Sequence, residues 1–292
     1  MPTAGFVFHQ GARLHYLEWA GAEPTIVLLP GYSLTAHAFE EIAAGLAPRH
    51  RVVALTPRGF GESDAPDTAP YTVATLAADL GAVLDSLRIA RPVLVGHSLS
   101  GSVIARYALD HPTRVRRLIL LDAFPYGAAE GADSIDALDP TPVPPFTGDT
   151  TYAAFADYLS RYRFVPWRPA LEADLRARPL GPEGVRRRAL TVGYIADQRA
   201  TPPDLTRLQV PSLQLCAVPS VRSDYGWLAP GAPAYAKARR YVEGTLRPFN
   251  KRLCDRFART VPRGQVAKLA GSHYLFFTNP AATIRAIRRS GT

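Results

Sequence analysis

The sequence predicts an α/β fold, with a mostly parallel central sheet flanked by helices and one inserted helical segment. Three observations lead there. Apolar runs of four to six residues without polar alternation recur at Ile26–Leu29, Val52–Leu55, Pro92–Val95 and Leu118–Leu121. Such runs suit strands buried on both faces, which is the condition of a parallel sheet with helices packed outside. Between them lie stretches with apolar residues at helical spacing, giving the strand–helix–strand rhythm of a doubly wound sheet. That rhythm breaks after Asp122 and resumes only at Ser212-Leu213-Gln214-Leu215-Cys216-Ala217.

Taken in order, the chain opens with a hairpin, Gly5–Gln10 and Arg13–Trp19, turning at Gly11. The strand at Ile26–Leu29 leads through Pro30-Gly31 to a helix around Ala38–Ala47, and the strand at Val52–Leu55 leads into the glycine-punctuated loop Arg58-Gly59-Phe60-Gly61-Glu62-Ser63. A helix from Val73 to Leu87 follows, then the third strand. Residues 124–208 hold the proline cluster Pro140, Pro142, Pro144 and Pro145 and aromatic helical stretches, with no convincing strand. The segment from Val218 to Pro262 carries Trp227, Tyr235 and a helix from Pro233 onward; the last strand, Gln265–Leu269, precedes His273 and a terminal helix after Pro280. The domain reading is therefore a core of residues 1–123 and 209–292 with a helical insertion at 124–208.

Chemistry concentrates at Gly96-His97-Ser98-Leu99-Ser100-Gly101. A serine set between a strand and a helix, with small neighbours, fits a tight turn that pushes its hydroxyl out above the sheet edge. Glycine is usual two residues after such a serine; here Ser100 stands there, small enough for the turn. A serine hydroxyl is a poor nucleophile at neutral pH, so a base must take its proton, and His273 is the candidate. It follows the last strand, where all the parallel strand ends converge. His97 is expected to pack beside the site or fine-tune it, and His9, His15, His37, His50 and His111 read as surface or loop residues.

Bulk properties narrow the class. At 292 residues with 47% hydrophobic content the chain has ample material for a core. No apolar run approaches the ~20 residues of a membrane span, and Met1–Phe8 lacks the pattern of a signal peptide. The charge of +9 invites a nucleic-acid reading, but the arginines are scattered and no nucleic-acid-binding motif is present, so solvated helix faces explain them. A small-molecule substrate is the expected partner, with no nucleic acid and no membrane. Cys216 and Cys254 read as buried free thiols, which fits a reducing cytoplasm. No Cys/His group has metal-ligand spacing, so neither a structural metal nor a cofactor is expected.

Together, the elbow around Ser98, the strand ending in Pro30-Gly31, the Arg58–Ser63 loop and His273 resemble the α/β-hydrolase family. The resemblance covers nearly the whole chain outside the segment from about Phe124 to Leu208, which is similar to the cap that many members insert above the nucleophile. It implies an oxyanion hole built from the backbone N–H groups of Leu99 and Tyr32. The family more often shows histidine where this chain has Pro30; the backbone amide survives that change. It implies a structural part for the Arg58 loop. Dehalogenases and epoxide hydrolases of this fold use an aspartate nucleophile, so Ser98 points instead to acyl transfer to water. A small apolar carboxylic ester is the expected substrate, in a pocket that takes in Phe124, Tyr126, Trp167 and Trp227; packing within the cap's own core is the competing role for these aromatics. C–C bond hydrolysis, lactone opening, peracid chemistry of the haloperoxidase type, and a non-catalytic ligand receptor are the alternatives.

The third member of a triad is less direct. The family's usual acid lies in the loop after the next-to-last strand, a place that falls near Ser220, and Asp224 comes four residues late. Asp122 directly follows Leu118–Leu121, where some members carry their acid. Asp122 is the expected partner of His273, with Asp224 as the alternative and simple turn capping as the other role for Asp122.

Overall fold

In the computed structural model the structure describes residues 1–125, 151–154, 157–158 and 167–291. Eight strands form one sheet in the order β1-β2-β4-β3-β5-β6-β7-β8: β1 Thr3–His9, β2 Ala12–Trp19, β3 Ile26–Leu29, β4 Val52–Leu55, β5 Val93–His97, β6 Arg117–Leu121, β7 Ser212–Val218 and β8 Gly264–Ala270. Strands β1 and β2 pair antiparallel, as do β2 and β4; all other pairs are parallel. The four unalternating runs are the central strands β3, β4, β5 and β6, and nearly every residue in them is buried. On the edge, β8 shows the opposite pattern, with Gln265 and Lys268 exposed and none of its residues fully buried. An edge strand carrying polar side chains resists pairing with another chain.

Helices α1 (Glu40–Leu46), α2 (Val73–Ser86), α3 (Leu99–Asp110), α4 (Pro169–Arg176), α5 (Gly181–Ala200), α6 (Pro233–Tyr241), α7 (Arg247–Thr260) and α8 (Pro280–Arg289) surround the sheet. One core forms under α2, α3 and α5, joining Leu80, Val103, Leu120 and Tyr194; the other lies under α1, α4 and α8, joining Ile42, Val95, Leu171 and Ile287. Helices α6 and α7 are joined by one π-helical turn, Val242–Leu246. The wide turn falls where Pro248 has no N–H to donate back along the helix, so the ladder loosens there.

Helices α4 and α5, within the expected insertion, are tied to the core by buried polar contacts. Asp174 accepts the Thr35 N–H (2.7 Å) and hydroxyl (2.8 Å). Asp197 accepts the Val73 N–H at 2.8 Å, and Tyr194 donates its hydroxyl to the Arg58 carbonyl at 3.2 Å.

Two expectations are corrected by the fold. Cys216 and Cys254 are not free thiols but a disulfide, with their Cα atoms 6.5 Å apart. Their separation of 38 residues concealed that β7 and α7 pack side by side, and the thiol argument for a reducing compartment falls with the expectation. His15 is buried within β2, at 3% exposure, rather than a surface or loop residue, whereas His50 lies in a loop, though buried at 7%. His15 is the inward-facing residue of β2 that meets Thr56. Among the described residues, no helix is long and apolar enough to cross a membrane.

Arg58 does take the structural part expected of its loop. It is fully buried and binds Asp79 of α2 through Nε (2.9 Å) and Nη2 (2.6 Å), while donating to the carbonyls of His9 and Gln10. Loop, helix and N-terminal hairpin thus meet on one guanidinium, whose fork geometry suits both carboxylate oxygens. Removing it leaves the buried Asp79 carboxylate with His9 Nδ1, 2.8 Å away, in place of the bidentate guanidinium. Arg58→Ala is expected to destabilise the fold by about 3–5 kcal/mol, read from urea unfolding midpoints. A loss within 1 kcal/mol would show that the pair is not the junction described.

Candidate active site

Strand register builds the site. In the β5–β6 pair, His97 lies opposite Leu121, so Ser98 and Asp122 are the first residues beyond two neighbouring strand ends. Both leave the sheet with positive φ, 52° at Ser98 and 43° at Asp122. Positive φ is costly for a residue with a Cβ and persists only where surrounding structure imposes it. At Ser98 the imposition is visible: the chain turns from β5 directly into α3, which begins at Leu99. A Cβ on Gly96 would sit 2.5 Å from the Ser100 carbonyl oxygen, so that position must be glycine.

Ser100, the departure from the usual glycine, fits by contributing a bond of its own. It is buried, and its hydroxyl donates to the carbonyl of Pro30 at 2.5 Å. Pro30 and Ser100, the two departures from the family pattern, therefore touch each other. The turn that follows, closed by the Leu34 N–H on the Gly31 carbonyl at 3.2 Å, lies hard against the elbow. A Cβ on Gly31 would fall 2.8 Å from Ser98 Cβ and 2.7 Å from His97 Nδ1. This close approach brings the backbone around Tyr32 beside Ser98. The Tyr32 ring itself points toward α5, packing edge-on to Phe60 and meeting the Thr191 hydroxyl at 3.2 Å. Leu99 is the first residue of α3, so its N–H has no acceptor within the helix and lies at the helix's positive end.

Asp122 and His273 are brought together: Oδ2 of Asp122 lies 2.8 Å from Nδ1 of His273. The other oxygen, Oδ1, accepts the Ala217 N–H at 2.8 Å, and the Asp122 N–H donates to Leu215. Asp122 is buried, at 4% exposure, while the His273 side chain is 41% exposed. A buried carboxylate fixed by a backbone donor can orient an imidazole and stabilise its protonated form. His97 supports the same ring from behind. Its Nε2 donates to the His273 carbonyl at 3.1 Å, and the two rings lie 4.5 Å apart. Burial, with His273 as a second influence, holds the His97 pKa well below its ordinary value, so the ring is neutral. Its expected role was to pack or fine-tune the site; the hydrogen bond to the His273 carbonyl adds a brace to that packing.

Asp224, the alternative acid, ends a one-turn helix, Val221–Asp224, capped by Ser220. Its carboxylate accepts from the Ser220 N–H (3.1 Å) and the Ser223 hydroxyl (2.7 Å). Burial pushes its pKa up to about 6, offset in part by those hydrogen bonds; Asp122 adds to the rise and His273 opposes it. Of the aromatic residues expected in a pocket, Phe124 is half-buried just beyond Asp122. Trp167 is 39% exposed, and Trp227 packs on Tyr225 in a small satellite core with Val221 and Tyr241. Tyr126 lies outside the described residues. One group escaped the sequence reading: His15, His37 and Glu62, distant in sequence, converge beyond the Gly31–Leu34 turn.

Comparison with known proteins agrees with this architecture. A family model described as alpha/beta hydrolase fold matches residues 24–196. A Variovorax paradoxus protein named for carbamate hydrolysis, RutD, is 38% identical over 126 residues, covering 42% of this chain and 47% of the relative. Epoxide hydrolase 4 of Mus musculus is 35% identical over 119 residues (40% of this chain, 33% of the relative). The fluoroacetate dehalogenase of a Burkholderia species is 37% identical over 109 residues (36% of each). The chain thus spans less than half the length of these relatives. Among solved structures, a hydrolytic enzyme of Pseudomonas aeruginosa matches with TM-score 0.72 at 23% identity, covering all of this chain and 94% of the other. E-2-(acetamidomethylene)succinate hydrolase matches at 0.70 and 23%, covering 99% and 98%.

Two outcomes follow for the acids. Asp122→Asn is expected to lower kcat by about 10⁴, because the amide fixes the wrong imidazole tautomer, with Asp224→Asn changing it less than tenfold; the reverse order in steady-state assays would transfer the role to Asp224. The second concerns pH. Folding raises the Asp224 pKa from 3.8 to about 6, so the folded state binds its proton more tightly than the unfolded state. Wild-type stability is therefore lost, through this group, as pH rises from about 4 through 6. The stability of Asp224→Asn relative to wild type should climb across that window in urea titrations, and a flat difference would refute the burial argument. Register, elbow, family match and sheet order agree, and the chain belongs to the α/β-hydrolase fold family.

Proposed function

We propose that the protein is a serine-dependent hydrolase of small apolar carboxylic esters. The observation that supports this most is the pairing of a Ser98 strained at φ 52° on a strand–helix turn with the Asp122–His273 contact at 2.8 Å, one strand away. In this reading His273 takes the Ser98 proton as Oγ attacks the ester carbonyl carbon. The negative charge on the carbonyl oxygen is met by the N–H groups of Leu99 and Tyr32, each donor worth about 10²–10³ in rate. Collapse breaks the bond to the alcohol, which leaves with the proton from His273. Water then attacks the acyl-enzyme by the same base, releasing the acid and restoring Ser98. Asp122 keeps the Nδ1 proton in place throughout and stabilises the imidazolium.

The relatives named above act, by their names, on carbamates, epoxides and a carbon–halogen bond; Ser98 favours acyl chemistry among these. The preference for apolar groups rests on the aromatic residues of the insertion and on Trp227. Apolar burial contributes about 25 cal/mol per Å², so ~100 Å² of extra contact is worth tens-fold in affinity.

Ser98→Ala and His273→Ala are each expected to lower turnover of an activated ester by about a millionfold, since the group acts as a unit, with the circular dichroism spectrum unchanged. Near-wild-type turnover by Ser98→Ala would remove the nucleophile. With the wild type, kcat/KM should rise from acetate to butyrate through octanoate esters; a flat or falling series, or faster cleavage of a diketone or lactone, would redirect the substrate class and leave the nucleophile standing.

A further inference from the structure

We propose that His15, His37 and Glu62 form a binding site for one borderline divalent cation such as Zn²⁺, with Glu40 as the outer carboxylate that orients His37. The three side chains come from β2, from the 3₁₀ turn Ala36–Phe39 and from the glycine loop after β4, and one ligand atom from each lies within 4.8 Å of the others.

The distances suit an ion. Glu62 Oε1 lies 3.0 Å from His37 Nε2, and Glu62 Oε2 lies 3.6 Å from His15 Nδ1. Neighbouring ligands of a tetrahedral ion with bonds of ~2.0–2.1 Å are roughly 3.3 Å apart, so the three ligand atoms, which lie within 4.8 Å of one another, draw together on binding. Two imidazoles and one carboxylate are a donor set for zinc, cobalt or nickel rather than for calcium or magnesium, which take oxygen. Three protein ligands leave a fourth position for water.

The surroundings hold the ligands in place. The far nitrogen of His37, Nδ1, meets Glu40 at 2.5 Å, which is the carboxylate–histidine contact that orients metal-ligating imidazoles. His15 is 97% buried, and its ring stacks on His37 at 5.7 Å with an interplanar angle of 20°. Thr56 Oγ1 lies 3.0 Å from His15 Nδ1 and also accepts the Ala36 N–H. Arg187 donates through Nε to Glu183 and through Nη1 to the carbonyls of Gly61 and Ser63, while Glu62 contacts the two histidines. On binding, the His15 Nδ1 lone pair passes from Thr56 to the ion. The proton between His37 Nε2 and Glu62 goes to solvent.

Such an ion joins β2 and the glycine loop to the turn that follows Gly31–Leu34, behind the backbone around Tyr32. It is a brace outside the reaction, so its test needs no substrate. Untagged full-length protein, stripped with chelator, is titrated with ZnCl₂ by calorimetry and by thermal unfolding. One zinc per chain and a rise in Tm are expected, with both affinity and shift reduced at least tenfold and abolished, respectively, in His37→Gln and Glu62→Gln. Glu62 is partly exposed, so its variant keeps the fold; Glu40→Gln should weaken binding about 10–100-fold, as loss of an outer carboxylate does. His273→Gln should bind as wild type. Absence of stoichiometric zinc, binding unchanged in Glu62→Gln, or binding lost in His273→Gln alone would each overturn the site, the last by placing the ion on the candidate triad.

Discussion

The candidate site depends on the register between β5 and β6. Because His97 faces Leu121, the residues that follow each strand emerge side by side, and Ser98 and Asp122 share one end of the sheet. A shift of that register would separate them along the strand direction by about 3.3 Å per residue. The register is held where shift is hardest, between two strands buried on both faces in the centre of an eight-stranded sheet. Rigid strands then carry the side chains that need fixed geometry, while His273 stands on a loop and is braced by His97.

Much of this was legible because the signals are local. Unbroken apolar runs announced β3 through β6, and a serine between a strand and a helix announced the turn at Ser98. Asp122 was readable from its place at a strand end, and the structure sets it against His273. What was hidden needed tertiary proximity. Residues 15, 37 and 62 have no motif spacing because three different elements deliver them. Likewise, Cys216 and Cys254 became partners only when α7 folded back over β7. His15 was misread for a related reason: β2 buries residues on both faces, Leu14 and His15 alike, and the neighbour that covers His15, Thr56 after β4, is distant in sequence.

The two departures from the family pattern form a compensating pair. Proline at position 30 offers no N–H and no polar side chain to organise the following turn. Serine at position 100 adds a hydroxyl that the usual glycine lacks, and this hydroxyl grips the Pro30 carbonyl. The interaction places a donor from α3 on the loop that must lie beside the nucleophile. The two departures thus meet in a single hydrogen bond.

The disulfide gives the segment after β7 an unusual autonomy. Cys216 and Cys254 close a loop that contains Asp224, Trp227 and the satellite core around Tyr241. Near its closing point, the Ala217 N–H holds Asp122 and the Ala217 carbonyl accepts from Asn250 of α7. The loop is thus a module with a covalent neck, and the neck sits at the carboxylate. The cross-link thus ties the module to β7 one residue before Ala217, the donor that fixes Asp122.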